Sequence, residues 1–284
     1  LTAESQVIGV FDSGVGGLSV LRHLRKAYPG DTLLYFADQA HVPYGSLSVQ
    51  EIRRYGEEIT RFLLDQGAKI IVVACNTASA AALNHLRETF PDVPVVGMEP
   101  AVKPAAMLTK SGKVGVLATP ATFASPRYSS LMTRFAEDII VFEDPCLGLV
   151  SLIEDGQLDT PATTQLLSDV LQPMLHDGVD TLVLGCTHYP LVRPLIDTIV
   201  AVESDGADVA IIDPAPAVAR QVGRVLAQSA MLAAPENTGL IHLYTSANVG
   251  TLGRMAEYAL GDHISVVEVR WRNSTLETAG LDGL

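Results

Sequence analysis

Short apolar runs of strand length recur along this chain, and each is followed by a stretch with helical spacing. VIGVF (7–11) precedes a glycine-rich turn and LSVLRHLRKAY (18–28). TLLYFA (32–37) precedes residues 48–66, where Ile52, Tyr55, Ile59, Phe62 and Leu63 fall on one side. KIIVVAC (69–75) precedes TASAAALNHLRETF (77–90), which stops at Pro91, and VPVVG (93–97) reads as a fourth strand. Such alternation marks a parallel sheet with helices on both faces, so the expected class is α/β. The hydrophobic fraction is 48% and the aromatic fraction only 6%, so the core must be mostly Ala, Val, Leu and Ile.

The pattern then restarts. KVGVLAT (113–119) resembles VIGVFDS (7–13), and TLVLGCTHYPLV (181–192) resembles IIVVACNTASAA (71–82). In both halves the opening strand is followed by a later strand that ends in cysteine. Two coincident matches in the same order point to an internal duplication. The expectation is two similar doubly wound lobes with mostly parallel sheets and the active site in the cleft between them. The first lobe is drawn as 1–98 plus 211–284 and the second as 99–210. VAIID (209–213) reads as a strand and PAVARQVGRVLAQ (216–228) as a helix with which the chain crosses back. LIHLYTSA (240–247) and ISVVEVR (264–270) then add late strands to the first lobe.

Charge and composition narrow the function. The formal net charge is -13, and Lys26, Lys69, Lys103, Lys110 and Lys113 form no run, so nucleic-acid binding is set aside as a main function. A small anionic substrate stays open, because backbone N–H groups at helix N-termini can hold carboxylates. Three cysteines make no disulfide framework. No signal-peptide pattern opens the sequence, and no apolar run approaches the roughly 20 residues that span a bilayer. A cytoplasmic protein without membrane association is expected. The sequence has no C-x-x-C, H-E-x-x-H or G-x-S-x-G, so metal and serine-hydrolase chemistry lack support.

Cys75 closes a parallel strand just before a helix, where open α/β sheets place their ligands. Thr77 is a natural helix cap beside Asn76, and nearby helix N–H groups stabilise a thiolate. Taken alone, Cys75 reads first as a small buried hydrophobe, since free cysteine is among the most buried residue types. Cys186 repeats the setting, with Thr187 and His188 after it; Cys146 lacks it and reads as structural. Two thiols opposed across a cleft suit inversion of an α-carbon, one thiolate taking a proton while the other thiol delivers one. Asp12 and His188 are the neighbours that could set those protonation states. The plainer alternatives are Asp12 as a helix cap over 14–17 and His188 as a helix-start residue before Pro190. DSGVGG (12–17) and PYG (43–45) are candidate anion-holding turns, or ordinary ones. The first is no dinucleotide fingerprint, since Ser19 stands at its third glycine, and no Walker A loop.

FDSGVGGLSV (11–20), VPYG (42–45), VVACNTASA (72–80) and LGCTHYPL (184–191) resemble, in order and spacing, the four signature segments of the glutamate racemases, part of the cofactor-independent aspartate/glutamate racemase superfamily. The resemblance extends over most of the chain. It implies that Cys75 is the base toward D-glutamate and Cys186 the base toward L-glutamate, assisted by Asp12 and His188 respectively. It implies that Ser13, Tyr44 and Gly45 hold the side-chain carboxylate, and that Asn76, Thr77 and Thr187 hold the α-amino and α-carboxyl groups. Thr119 stands at the duplicate of the Asp12–Ser13 position and can add a donor. Glu154 resembles a family glutamate near the site, although Leu147 follows Cys146 where the family usually has proline. The resemblance further implies no cofactor, a small-molecule substrate, a homodimer, and supply of D-glutamate for peptidoglycan synthesis.

Other readings remain open at this point. One keeps the mechanism with aspartate or another acidic amino acid as substrate. Another is a one-cysteine lyase, in which Cys75 is dispensable. A third is a two-lobe binding module without catalysis, and a fourth a pyridoxal-phosphate racemase using Lys69 or Lys103.

Overall fold

The computed structural model describes residues 6–204, 206–229 and 238–278. They form two compact units: one made of the chain up to Met98 together with the chain from Ala215 onward, the other of Glu99–Pro214.

The first unit opens with β1 (Val7–Asp12), α1 (Leu18–Ala27), β2 (Thr32–Ala37), α2 (Val49–Asp65), β3 (Ile70–Val73), α3 (Asn76–Thr89) and β4 (Val95–Val96). The second unit runs through α4 (Val102–Leu108), β5 (Lys113–Leu117), α5 (Pro120–Phe123), α6 (Pro126–Phe135), β6 (Ile140–Asp144), α7 (Leu149–Glu154), α8 (Pro161–His176), β7 (Thr181–Leu184), α9 (Arg193–Glu203) and β8 (Ala210–Ile212). The chain then returns to the first unit with α10 (Ala215–Gln228), β9 (Ile241–Thr245), α11 (Val249–Leu260), β10 (Val266–Arg272) and β11 (Thr275–Thr278).

The first sheet has the order β11-β10-β9-β2-β1-β3-β4 and the second β6-β5-β7-β8. Every pairing is parallel except β10 with β11. In the first unit α2 packs with α3, while α1 packs with α10 and α11; in the second, α8 packs with α9 and α4 with α6. Strands covered by helices lose all solvent contact, and β3 and β7 are buried at every position. Helix starts are fixed locally. Ser48 and Glu51 close a reciprocal capping box on α2. Thr119, Ser125 and Thr160 cap α5, α6 and α8, each followed by proline at the first helical position.

The late strands 241–245 and 266–272 join the first sheet beside β2, as the apolar pattern of 240–247 and 264–270 suggested. The strand at 209–213 is a correction. Assigning 211 onward to the first lobe cuts through β8, whose Ala210, Ile211 and Ile212 pair in parallel with Thr181, Leu182 and Val183 of the second sheet. The change of unit falls at Pro214, just before α10. An edge strand of three half-buried residues carries too little pattern to say which sheet it extends.

The duplication holds at the level of register. Gly9 of β1 faces Ile71 of β3, and Gly115 of β5 faces Leu182 of β7. Each glycine leaves room for that neighbour: a Cβ on Gly9 falls 2.9 Å from Ile71 Cδ1, and one on Gly115 falls 2.6 Å from Leu182 Cδ2. The strands part ways one residue before each cysteine. Ala74 fits there in the first unit, whereas a Cβ on Gly185 would sit 2.8 Å from the Leu117 carbonyl oxygen. Backbone cannot yield as a flexible side chain can. Gly185→Ala is therefore expected to lower the thermal midpoint, by the equivalent of about 1–3 kcal/mol for overpacking, while Ala74→Gly costs less. A melting curve of each variant checks this.

Among the described residues no helix is long and apolar enough to cross a membrane.

Candidate active site

In each unit the strand order reverses beside the opening strand. β1 lies between β2 and β3, and β5 lies between β6 and β7. Helices therefore leave toward opposite faces at β1/β3 and at β5/β7, and the crevice at the carboxyl ends of such a strand pair is where open α/β sheets bind ligands. Cys75 and Cys186 follow β3 and β7 at those points.

In the first unit Cys75 is the N-cap residue of α3, and its sulfur accepts the Ala78 N–H at 3.4 Å. A helix N-terminal donor aimed at sulfur favours the thiolate. The thiol faces Ser13 Oγ at 3.8 Å and is almost wholly buried. Asp12, fully buried at the end of β1, accepts the Gly17 N–H at 2.7 Å, while Tyr35 donates its hydroxyl to the Gly14 carbonyl at 2.6 Å. Asp12 thus does hold the 12–17 turn, and that turn's Gly17 donor is committed to it rather than offered to an outside anion. Tyr44 is buried and donates its hydroxyl to Asp38 at 2.7 Å. Burial first, then Asp38, Cys75 and Asp12 push that phenol well above its ordinary range, which places all four groups in one neighbourhood. The N–H groups of Tyr44 and Gly45 open a single 3₁₀ turn (Tyr44–Ser46), where intrahelical partners are lacking. Asn76 and Thr77 form the first turn of α3 and are buried. Both the amide nitrogen and the amide oxygen of Asn76 lack a hydrogen-bond partner among the described residues. A buried carboxamide left in that state is costly, and a ligand that satisfies it offsets the cost.

In the second unit Cys186 Sγ lies 3.6 Å from His188 Nδ1, and His188 Nε2 lies 2.6 Å from Glu154 Oε1. Cys186 and His188 are both buried, as is Thr187 between them. Burial opposes the imidazolium, but the Cys186 and Glu154 hydrogen bonds and their negative charge outweigh it, holding the His188 pKa well above the usual histidine value. Glu154 is the last residue of α7. That helix leaves a left-handed turn through Cys146 (φ 44°) and Gly148 (φ 92°). Leu147, which stands where the resembling family has proline, points into solvent. Cys146 is buried; burial, then Asp144, push its thiol well up, so it stays protonated beside the Tyr189 hydroxyl. Thr119 caps α5 through Thr122 N–H at 3.3 Å and stands two residues past the end of β5, much as Ser13 follows β1.

Within the first unit the structure gathers Asp12, Ser13, Tyr44 and Cys75 at the carboxyl ends of β1 and β3, with Gly45, Asn76 and Thr77 on the adjoining turn and helix start. Within the second it links Cys186, His188 and Glu154 in a chain of contacts, with Thr187 between the first two in sequence. Sequence reasoning missed Asp38, although its place just after β2 is the same strand-end signal that found Asp12. Lys69 and Lys103 are exposed, and the Lys103 ammonium lies over the Phe135 ring. Among the described residues no group of three or more His, Cys, Asp or Glu is placed to hold a metal ion.

A doubly wound sheet with a buried free cysteine at its switch point, built twice in one chain, defines a two-unit α/β protein with one thiol at the carboxyl end of each sheet. The chain belongs to the Asp/Glu/hydantoin racemase family, whose model matches residues 8–222. A glutamate racemase of Pseudomonas aeruginosa is 55% identical over 233 residues, covering 82% of this chain and 86% of that protein. One from Pseudomonas paraeruginosa is 51% identical over 266 residues, covering 94% and 98%. Among solved structures, a Bacillus anthracis glutamate racemase superposes with a TM-score of 0.79 at 36% identity, over 92% of this chain and 96% of that one. Escherichia coli glutamate racemase in complex with L-glutamate and the activator UDP-MurNAc-Ala gives a TM-score of 0.78 at 30% identity, over 97% and 100%.

Proposed function

We propose that this chain is an isomerase that interconverts L- and D-glutamate by moving the α-proton with two cysteines, and that it supplies D-glutamate for peptidoglycan synthesis. The observation that carries this is the pairing of two strand-end cysteines, one per unit, each with its own polar neighbours, in a chain half-identical over nearly its whole length to glutamate racemases.

Cys75 serves as base toward D-glutamate and Cys186 as base toward L-glutamate. For each direction one sulfur begins as thiolate and the other as thiol, and the roles exchange with the proton. The Ala78 N–H favours the anion at Cys75, with Asp12 as its neighbouring carboxylate. His188, held toward its charged form by Glu154, favours the anion at Cys186 and can return a proton to it. Ser13 and the N–H groups of Tyr44 and Gly45 receive the side-chain carboxylate, since the Tyr44 hydroxyl is already given to Asp38. Asn76, Thr77 and Thr187 receive the α-amino and α-carboxyl groups, with Thr119 as a further donor. Fixed dipoles of this kind stabilise the charge that develops as the α-proton leaves. The assembly proposed is a homodimer, on the resemblance alone.

Asn76→Ala separates a ligand role from a structural one. Removing an unpartnered buried amide from a helix start, in favour of a strong helix former, leaves the melting temperature unchanged or raised, while the KM for glutamate rises about tenfold or more. A drop in stability with unchanged KM would assign Asn76 to the fold instead. The function as a whole is tested by α-proton exchange of each glutamate enantiomer in deuterated water.

A further inference from the structure

Asp38 is fully buried and takes no part in the proton transfer described above. A buried carboxylate is tolerated where donors surround it, and Asp38 has four side chains doing so. Oδ2 accepts from the Tyr44 hydroxyl at 2.7 Å and His41 Nδ1 at 2.9 Å; Oδ1 accepts from Ser246 Oγ at 2.7 Å and Trp271 Nε1–H at 2.8 Å. Two of these donors lie on the segment that carries Tyr44 and Gly45. The other two lie 208 and 233 residues further on, just after β9 and within β10. Ser246 Oγ also accepts the Ala40 N–H at 2.9 Å. The His41 ring stacks on Tyr55 at 3.9 Å between centroids, and Trp271 meets the two rings edge-on at 5.3 and 5.2 Å.

We infer that Trp271 is a positioning residue for the Tyr44–Gly45 segment, acting through the Asp38 carboxylate, so that the late strands of the first unit set how tightly the substrate's side-chain carboxylate is held; this rests on the function proposed above. The indole N–H is a donor only, and it shares Asp38 Oδ1 with the Ser246 hydroxyl and, at 3.1 Å, with His41 Nδ1, so that oxygen ties the late strands to the segment that carries Tyr44. The carboxylate passes that constraint to the Tyr44 hydroxyl, whose backbone begins the turn offered to substrate. Trp271 touches no reacting atom, so its effect falls on binding shared by the ground and transition states.

Trp271→Phe keeps an aromatic ring against His41 and Tyr55 and deletes the donor. It is expected to raise the KM for L- and D-glutamate about fivefold or more with kcat within about twofold, the signature of lost uniform binding. A second measurement uses the wild-type protein. Its single tryptophan gives one indole N–H resonance. Saturation with D-glutamate is expected to move that resonance, and Tyr44→Phe, which cuts the hydroxyl link to Asp38, is expected to reduce the movement to less than half. A wild-type KM in a folded Trp271→Phe, a fall in kcat at unchanged KM, or an indole resonance that ignores D-glutamate in an active wild type overturns the positioning role. Absence of racemisation in the wild type overturns the function itself, a different failure. If Trp271→Phe does not fold, the wild-type and Tyr44→Phe titrations decide.

Discussion

Replacing either Cys75 or Cys186 with serine is expected to abolish racemisation of glutamate, by about a thousandfold or more in kcat/KM, the scale of losing a positioned acid–base group. Serine preserves the shape of the site, but its hydroxyl is far too weak an acid to serve as either thiol or thiolate. The loss must be equal for the two enantiomers, because they have the same free energy and their kcat/KM values are bound to be equal. The exchange experiment is not so bound. With Cys75 replaced, any surviving uptake of deuterium is confined to L-glutamate, which Cys186 faces; with Cys186 replaced, it is confined to D-glutamate. Uptake by both enantiomers in a variant that cannot racemise would overturn the assignment of one thiol to each face. If glutamate is untouched and aspartate exchanges in the wild type, the two-thiol chemistry stands and the substrate changes. A Cys75→Ser protein with full turnover of an acidic substrate would favour the one-cysteine lyase.

Glu154→Gln is expected to lower kcat/KM about ten- to a hundredfold, again equally for both enantiomers, with a characteristic change in pH dependence. Glu154 and Cys186 together raise the His188 pKa against the opposing effect of burial. Removing the glutamate charge removes one of those causes, so His188 loses its proton at lower pH. The alkaline limb of the kcat/KM profile therefore moves to lower pH in Glu154→Gln. Because the folded-state pKa of His188 is raised, the stability this cluster contributes is fully present below the unfolded histidine value of about 6.5 and is lost as pH rises through the folded value. An unchanged profile in the variant would show that Glu154 only orients the ring. Initial rates from pH 6 to 10, followed by optical rotation or circular dichroism, distinguish the two.

Much of this was legible in the chain because local signals carried it. Strand-length apolar runs before helical stretches gave the α/β class, and the echo of VIGVFDS in KVGVLAT gave the duplication. The spacing of Cys75 and Cys186 after their strands found both switch points before any sheet order was known. Where signals were weak, the boundary slipped: β8, three half-buried residues, joined the second sheet through pairing with β7. The stretch between the two halves' cysteine strands was also read thinly, since α6 buries only Tyr128 and Leu131 and β6 has no fully buried position.

The sequence by itself determined the class of fold, the two thiols and most of the polar residues around them, because strand-end position and helix capping depend on neighbours a few residues away. Only tertiary structure decided the partners of those groups. The contact between Glu154 and His188 spans 34 residues, and the bond from Trp271 to Asp38 spans 233. Such pairs leave no local periodicity to read. They exist because sheet order brings distant strand ends together and because a buried charge must be met by whatever donors the fold delivers to it.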